Sequence, residues 1–525
     1  MTVTGTPRPR TRRQAKQAYG PYGRVQQAVD ELDDRLGLAK VGRTLLDKIF
    51  PDHWSFMLGE IALYSFVILI VTGIFLTLYF VPSETIVTYH GIYKPLDGTR
   101  VSEAYQSTVN ISFGVRAGLL IRQMHHWAAD VFIGAIAVHM ARVFFTGAFR
   151  KPRELNWVIG ITMLILAIFN GFLGYSLPDD LISGTGIRIA DSILLSIPVV
   201  GSYLAFWLFG GNYPGQIIIE RFYIIHVLII PLVLFGLIGA HLGLLVHQKH
   251  TQFAGKHRTE KNVVGSPMYP TFMAKTTGFM LMVTGGTALL GGLAQINPIW
   301  QFGPYQASKI SYAVQPDWYM GFLDGALRIM PSWQWTGWGH TVPWEVFLPA
   351  VVFPALVFNI FIIWPAIERK FTGDVLIHNL LDRPRDRPKR TAAGAAMFAL
   401  LFTVFGASAT DVLANYLHVS LNGTLWFFRV AVIVTPIVVG LVTWRVCIEM
   451  QGGGAGMGKR KRAVVVSRTA EGEYVSVPSD ERPGDDRVDL RPEPVPVKIE
   501  MGTDGDRVGV GATTVSGSGV RRVNR

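Results

Sequence analysis

The chain has 525 residues, half of them hydrophobic and only 16% charged, with a mean hydropathy of +0.32. Soluble proteins carry about 25% charged residues, so this balance excludes a soluble multidomain enzyme and points to a chain that crosses a membrane many times. The single cysteine, Cys447, excludes a disulfide framework, a four-thiolate iron–sulfur cluster and a covalent c-type haem site.

Residues 1–50 read as a basic N-terminal segment, with ten Lys/Arg against five Asp/Glu. Its Arg/Pro-rich start reads as disordered and 25–50 as an amphipathic helix. No long apolar run precedes Phe50, so no secretory signal peptide is expected. Eight apolar stretches follow, at roughly 56–81, 121–147, 156–178, 221–247, 272–295, 343–366, 392–414 and 425–447. Each reaches the ~20 residues that span a hydrocarbon core. A shorter run, 192–209, is broken by Pro198 and Gly201 and reads as interfacial or re-entrant. The Gly- and Pro-containing tail, 451–525, carries 24 charged residues and is expected to be disordered. The fold class is therefore an all-α polytopic membrane protein with eight transmembrane helices.

Lys and Arg gather in the loops around 150, 249–261, 369–390 and 459–462, while the intervening loops are acidic. The basic side reads as cytoplasmic, and an even number of spans puts both termini there. The net charge of +12 becomes a topology signal plus a basic N-terminus, with no nucleic-acid partner implied.

Four histidines lie inside two apolar spans. His125 and His139 are fourteen residues apart in the second, and His226 and His241 fifteen apart in the fourth. Fourteen residues make nearly four helical turns, so both side chains share a face about 21 Å apart along the axis. Fifteen fits if the fourth helix tilts or bulges. The spans run in the same direction, so His125 pairs with His226 and His139 with His241. Two histidines per site are few for zinc and suit the two axial positions of haem. Gly59/Gly73 in the first span and Gly160/Gly174 in the third repeat the fourteen-residue spacing, as a flat macrocycle close to the backbone requires. Arg122 and Arg142 each sit about a turn beyond a histidine, where propionates would lie. On the residues alone, a proton- or ion-coupled transporter with histidine relays and a two-haem anchor for a dehydrogenase or hydrogenase stay open.

The segments Arg122-Gln-Met-His125, His139-Met-Ala-Arg142, Gly171 to Pro178, Arg221 to His226, His241 and Pro316-Asp317-Trp318-Tyr319 resemble cytochrome b of the quinol–cytochrome c oxidoreductase (cytochrome bc) complexes. The resemblance is strong over 51–370 and extends to 447 by helix count. The fifteen-residue gap resembles the chloroplast and Gram-positive branches, and the basic N-terminus and the long tail resemble the actinobacterial bcc branch.

The resemblance implies a four-helix haem-binding domain at 51–250, and at 251–450 a C-terminal domain with the quinol-site loop and four further helices. It also implies two haem b groups, a low-potential outer one on His125 and His226 and a high-potential inner one on His139 and His241. Arg122, Arg142 and the four glycines would line them. The quinol-oxidation site would comprise Pro316, Asp317, Trp318, Tyr319, Tyr175 and Asp324, with Asp317 as the catalytic proton acceptor and Asp324 a second acid. A quinone-reduction site near the cytoplasm would draw on His247, His250 and Lys275, although Thr276 stands where the family has an acid beside that lysine. The implied substrate is menaquinol. The implied partners are a Rieske iron–sulfur subunit, a dihaem cytochrome c, an aa3-type oxidase in a supercomplex, membrane lipid and a second copy of the complex. The implied location is the bacterial plasma membrane.

Overall fold

A computed structural model describes residues 46–211, 215, 217–309 and 315–451, together with 31–33, 35, 464–468 and 474–478. Most of the expected N-terminal amphipathic helix and most of the expected disordered tail lie outside the described residues. The two short segments of the tail, Val464–Arg468 and Tyr474–Pro478, pair as an antiparallel hairpin.

Among the described residues, eight helices are long and apolar enough to cross a membrane: Trp54–Thr77, Gly118–Thr146, Glu154–Ser176, Ile218–Gln248, Met268–Leu293, Trp344–Thr372, Pro388–Ala407 and Leu421–Met450. These are the first to eighth spans, in chain order. Each coincides with an apolar stretch of the sequence. The seventh ends at Ala407, short of the expected 414, and a separate helix, Thr410–Leu417, comes after it. Asp411 in that helix's first turn pairs with Arg328, in the loop between the fifth and sixth spans, at 3.0 Å. Its charge keeps these residues at the membrane edge, because a carboxylate at membrane depth is costly. The run 192–209 divides between the end of one helix, Leu181–Leu195, and a second, Gly201–Phe209, with Pro198 in the connection.

The fourth span is not uniformly α-helical. Ile225–Ile229 forms a π turn that contains His226. A π turn holds one more residue than an α turn, so fifteen residues from His226 to His241 cover the path that fourteen cover in the second span.

The first four spans pack in sequence around one core. The first contributes Ala62 and Phe66, the second Phe132 and Ile133, the third Leu164, Ala167 and Leu173, and the fourth Ile230 and Leu234. Tyr319, from the long loop before the sixth span, is buried in the same cluster. The fifth span packs on the first and second, the sixth on the third, and the seventh and eighth on each other. Side chains turned away from the core are apolar and exposed, among them Val71, Leu232, Phe235 and Phe427, as a lipid-facing surface requires.

At the histidine-139 end, a short antiparallel pairing joins Ile49–Phe50 to Ser266–Pro267. Nearby, Arg390 bridges Glu368 at 2.5 Å and Asp382 at 3.0 Å, and Arg150 also reaches Asp382 at 3.2 Å.

Candidate functional site

The structure pairs the four intramembrane histidines as their spacing requires. The rings of His125 and His226 lie 6.2 Å apart between centroids, and those of His139 and His241 6.5 Å apart. Their planes cross at 77° and 68°. In the first pair both Nδ1 atoms are engaged. Thr72 Oγ1 donates to the Ile68 carbonyl at 2.6 Å and so accepts from His125 Nδ1 at 2.9 Å. His226 Nδ1 lies 2.9 Å from the Asn170 carbonyl, which can only accept. Both Nε2 lone pairs are thereby left for another partner. In the second pair, the Nδ1 atoms of His139 and His241 are buried without a hydrogen bond.

The glycines press on these rings. A Cβ on Gly174 would stand 2.4 Å from His226 Cε1, one on Gly73 3.2 Å from His125 Cε1, and one on Gly59 3.1 Å from His139 Cε1. Gly160 is looser, 3.9 Å from His241 Cε1. Arg122 is buried and Arg142 half-buried, and the Nε of each, with Nη2 of Arg122, is enclosed and finds no acceptor. Their guanidinium groups lie over aromatic rings, Arg122 over Trp300 at 5.7 Å and Arg142 over Phe56 at 4.9 Å.

A cavity of about 410 Å³ opens beside the first pair. Gly73, Arg122, His125, Gly174, Tyr175 and His226 line it together with Asp317 and Tyr319. Asp317 is held from two sides. His126 Nε2 donates to both carboxylate oxygens at 2.9 Å, and the Tyr319 hydroxyl donates to Oδ2 at 2.9 Å. His126 and Asp317 are nearly buried, 13% and 14% exposed. Burial beside Asp317 pushes the Tyr319 phenol well above its ordinary range, so Tyr319 acts as a hydrogen-bond donor. Gly171 lets this tyrosine in, since a Cβ there would stand 2.8 Å from its ring. Trp318 lies against Gly134 of the second span. Pro316, Trp318 and Asp324, expected at this site, do not line the cavity. Asp324 pairs with Arg328 one turn on at 2.9 Å; burial raises its carboxyl and that guanidinium opposes the rise.

The chain is similar to proteins of known sequence. Residues 130–304 match the family model described as cytochrome b(N-terminal)/b6/petB. The chain is 49% identical to the cytochrome bc1 complex cytochrome b subunit of Streptomyces coelicolor over 86% of its length and 83% of the relative's. It is 47% identical to the Mycobacterium leprae subunit, over 90% and 85%, and 50% identical to that of Corynebacterium efficiens, over 80% and 78%. The chain belongs to the cytochrome b subunits of cytochrome bc1 complexes. Its fold matches a solved structure named hyperthermophilic respiratory Complex III with a TM-score of 0.60 at 20% identity, over 79% of this chain and 98% of that one.

Cytochromes b bind haem, and the residues here fit one at each pair. The ring separations of 6.2 and 6.5 Å leave room between the two imidazoles of each pair for one metal ion, and imidazole nitrogen would suit haem iron. The acceptor-less guanidinium nitrogens of Arg122 and Arg142 suit carboxylates such as propionates.

At the other end of the bundle the expected quinone-site residues are more scattered. His250 is buried against Phe50, ring centroids 4.5 Å apart, with its Nε2 unpartnered. His247 is exposed. Lys275 reaches Asp52 at 2.9 Å and Ser266 Oγ at 3.1 Å. The acid absent beside Lys275 in sequence is therefore supplied by Asp52, carried there by the Ile49–Phe50 pairing.

Sequence reading missed His126 and Asp52. It also missed Asp130, one turn beyond His126, whose Oδ1 is buried without a partner. The signal for His126 and Asp130 was their i,i+4 spacing inside a membrane span; Asp317, the partner of His126, is too distant in sequence to read.

Proposed function

We propose that this chain is the di-haem cytochrome b subunit of a menaquinol–cytochrome c reductase in a bacterial plasma membrane, with both termini cytoplasmic. His125 and His226 hold the outer, low-potential haem b, and His139 and His241 the inner, high-potential one. Residues 51–250 form the haem-holding domain and 251–450 the domain that carries the quinol loop. When bound, haem supplies reversible one-electron carriage across the membrane.

The chain's own residues do the rest. Thr72 and the Asn170 carbonyl fix the ring orientation and tautomer of the outer ligands. Arg122 and Arg142 neutralise carboxylates at the two edges of the bundle. Asp317 accepts a proton from quinol in the cavity and passes it outward, while His126 and Tyr319 hold its carboxylate toward that space. Electrons leave quinol by two routes, one to a Rieske iron–sulfur partner and one inward to a quinone-reducing site near Lys275 and His250. With a single cysteine, the chain leaves the cluster and any c-type haem to partners: the Rieske subunit, a dihaem cytochrome c and an aa3-type oxidase, in a dimeric complex.

The observation that carries this reading is the convergence of the His125–His226 pair, Asp317 and Tyr319 on one cavity. The test is Asp317→Asn in the intact complex. Quinol oxidation is expected to fall at least tenfold while the b-type difference spectrum still counts two haems per chain. Unchanged turnover removes the proton role of Asp317, and a spectrum with one haem or none in the parent overturns the ligand assignment.

A further inference from the structure

One intramembrane carboxylate has no part in the function above. Glu60 lies in the first turn of the helix Met57–Thr77. Its neighbour Gly59 faces the His139 ring, so Glu60 sits level with the inner histidine pair but turns toward the fifth span. There Thr276 Oγ1 donates to Glu60 Oε2 at 2.8 Å and the Tyr64 hydroxyl donates to the same oxygen at 3.0 Å. Tyr64 and Thr276 also touch each other. An ionisable group at this depth is costly and is retained where it does something.

The residue before Thr276 is Lys275, bonded to Asp52 and Ser266. Consecutive residues of the fifth span thus hold two carboxylates of the N-terminal region. Asp52 and Lys275 are about half exposed, at 49% and 56%, and face solvent at the cytoplasmic end. Glu60 is less exposed than these two, half-buried beside Tyr64, which is 8% exposed.

We infer that Glu60 delivers protons from the cytoplasm to quinone reduced at the inner face, with Tyr64 and Thr276 holding its carboxyl and the Asp52–Lys275 pair at the entrance. The inference rests on the inner-site reading above. In the step, quinone takes two electrons, supplied by quinol oxidised at the outer face, and two protons. Each proton passes from the Glu60 carboxyl to a quinone oxygen as an O–H bond forms. The Glu60 carboxylate is then reprotonated from cytoplasmic water past Asp52. Hydroxyl groups of Tyr and Thr donate to the carboxylate and can turn to accept from the acid, so the cradle suits both states.

The rival role is a static clamp between the first and fifth spans, and Glu60→Gln separates the two. Glutamine keeps an oxygen for both hydroxyl donors but carries no exchangeable acid proton. In the isolated complex, with Asp317→Asn blocking the outer site, the chemically reduced b-type absorbance is mixed with a soluble naphthoquinone and its reoxidation followed. Alongside, the redox-induced infrared difference spectrum is read for a protonated-carboxyl band. Delivery predicts that Glu60→Gln slows reoxidation at least tenfold and removes that band, that Glu60→Asp restores both in part, and that thermal unfolding is unchanged. A rate within twofold of the parent with the band intact overturns the inference. So does a clamp pattern, in which Glu60→Gln is harmless and Tyr64→Phe and Thr276→Val lower the unfolding temperature. If the parent itself shows no quinone-dependent reoxidation, the inner-site reading fails and the inference with it, a result distinct from failure of Glu60 alone.

Discussion

Gly174→Ala is the sharpest perturbation of the outer ligand pair. In a helix interior alanine is better than glycine by about 1 kcal/mol, so the backbone gains from the change. The cost comes from the added methyl, which would stand 2.4 Å from His226 Cε1, 2.8 Å from Nε2 and 3.0 Å from Nδ1. Carbon atoms pack best at about 3.5–4.0 Å, so the overlap exceeds 1 Å on the ring itself. The ring cannot retreat freely, because Nδ1 is tied to the Asn170 carbonyl. Overpacking of this kind costs roughly 1–3 kcal/mol, a factor of about 5–150 in an equilibrium. Gly160→Ala is the matched control, since its methyl would meet His241 only at 3.9 Å and should keep the helix gain. Haem per chain and a redox titration of the b-type absorbance, measured on both purified variants, read the difference. Gly174→Ala should lose the outer haem selectively and Gly160→Ala should retain both, with Gly59→Ala and Gly73→Ala between them at 3.1 and 3.2 Å. Equal retention by the Gly174 and Gly160 variants refutes the cradle reasoning.

Two further outcomes concern charge. Burial, with Asp179 and Glu220 nearby, pushes the Glu84 carboxyl up to about 8. The folded chain therefore keeps a proton that the unfolded chain releases near the ordinary carboxylate value. The stability this contributes is complete below that value and is lost as pH rises through about 8. Glu84→Gln should leave the unfolding temperature of the complex unchanged at acid pH and raise it above pH ~8; a larger loss at alkaline than at acid pH contradicts the sign. Arg390, 3% exposed, bridges Glu368 and Asp382; Arg390→Ala leaves Asp382 to Arg150 and Arg387 but takes the ion-pair partner from Glu368, at a cost of about 3–5 kcal/mol. Thermal unfolding of a double-mutant cycle with Glu368→Gln should recover part of that loss, and strict additivity would show that the ion pair carries none of it.

The spans were legible because a run of about twenty apolar residues has few other uses, and the histidine pairs because a fourteen-residue spacing keeps one face. The fifteen-residue spacing was the ambiguous part, and the π turn at Ile225–Ile229 resolves it. A signal for that turn was present. Pro231 has no N–H to give the Val227 carbonyl, so the ordinary α ladder cannot close just where the extra residue is accommodated. Among the described residues the other two π turns hold a proline within the turn itself, Pro270 in Met268–Phe272 and Pro349 in Leu348–Val352. Asp324 was legible in a different sense: Arg328 stands four residues on, and an i,i+4 acid–base pair on one helix face already gives the acid a partner outside the cavity. His126, Asp52 and Glu60 were beyond reach for a common reason. Each meets its partner across 191 to 223 residues of chain, through contacts made only once the spans have packed. Local pattern fixes which residues face inward at a given depth, and tertiary packing decides which polar groups then meet. The pairing of the histidines against the glycines depends mainly on the first and was readable. The contacts of His126, Asp52 and Glu60 depend on the second.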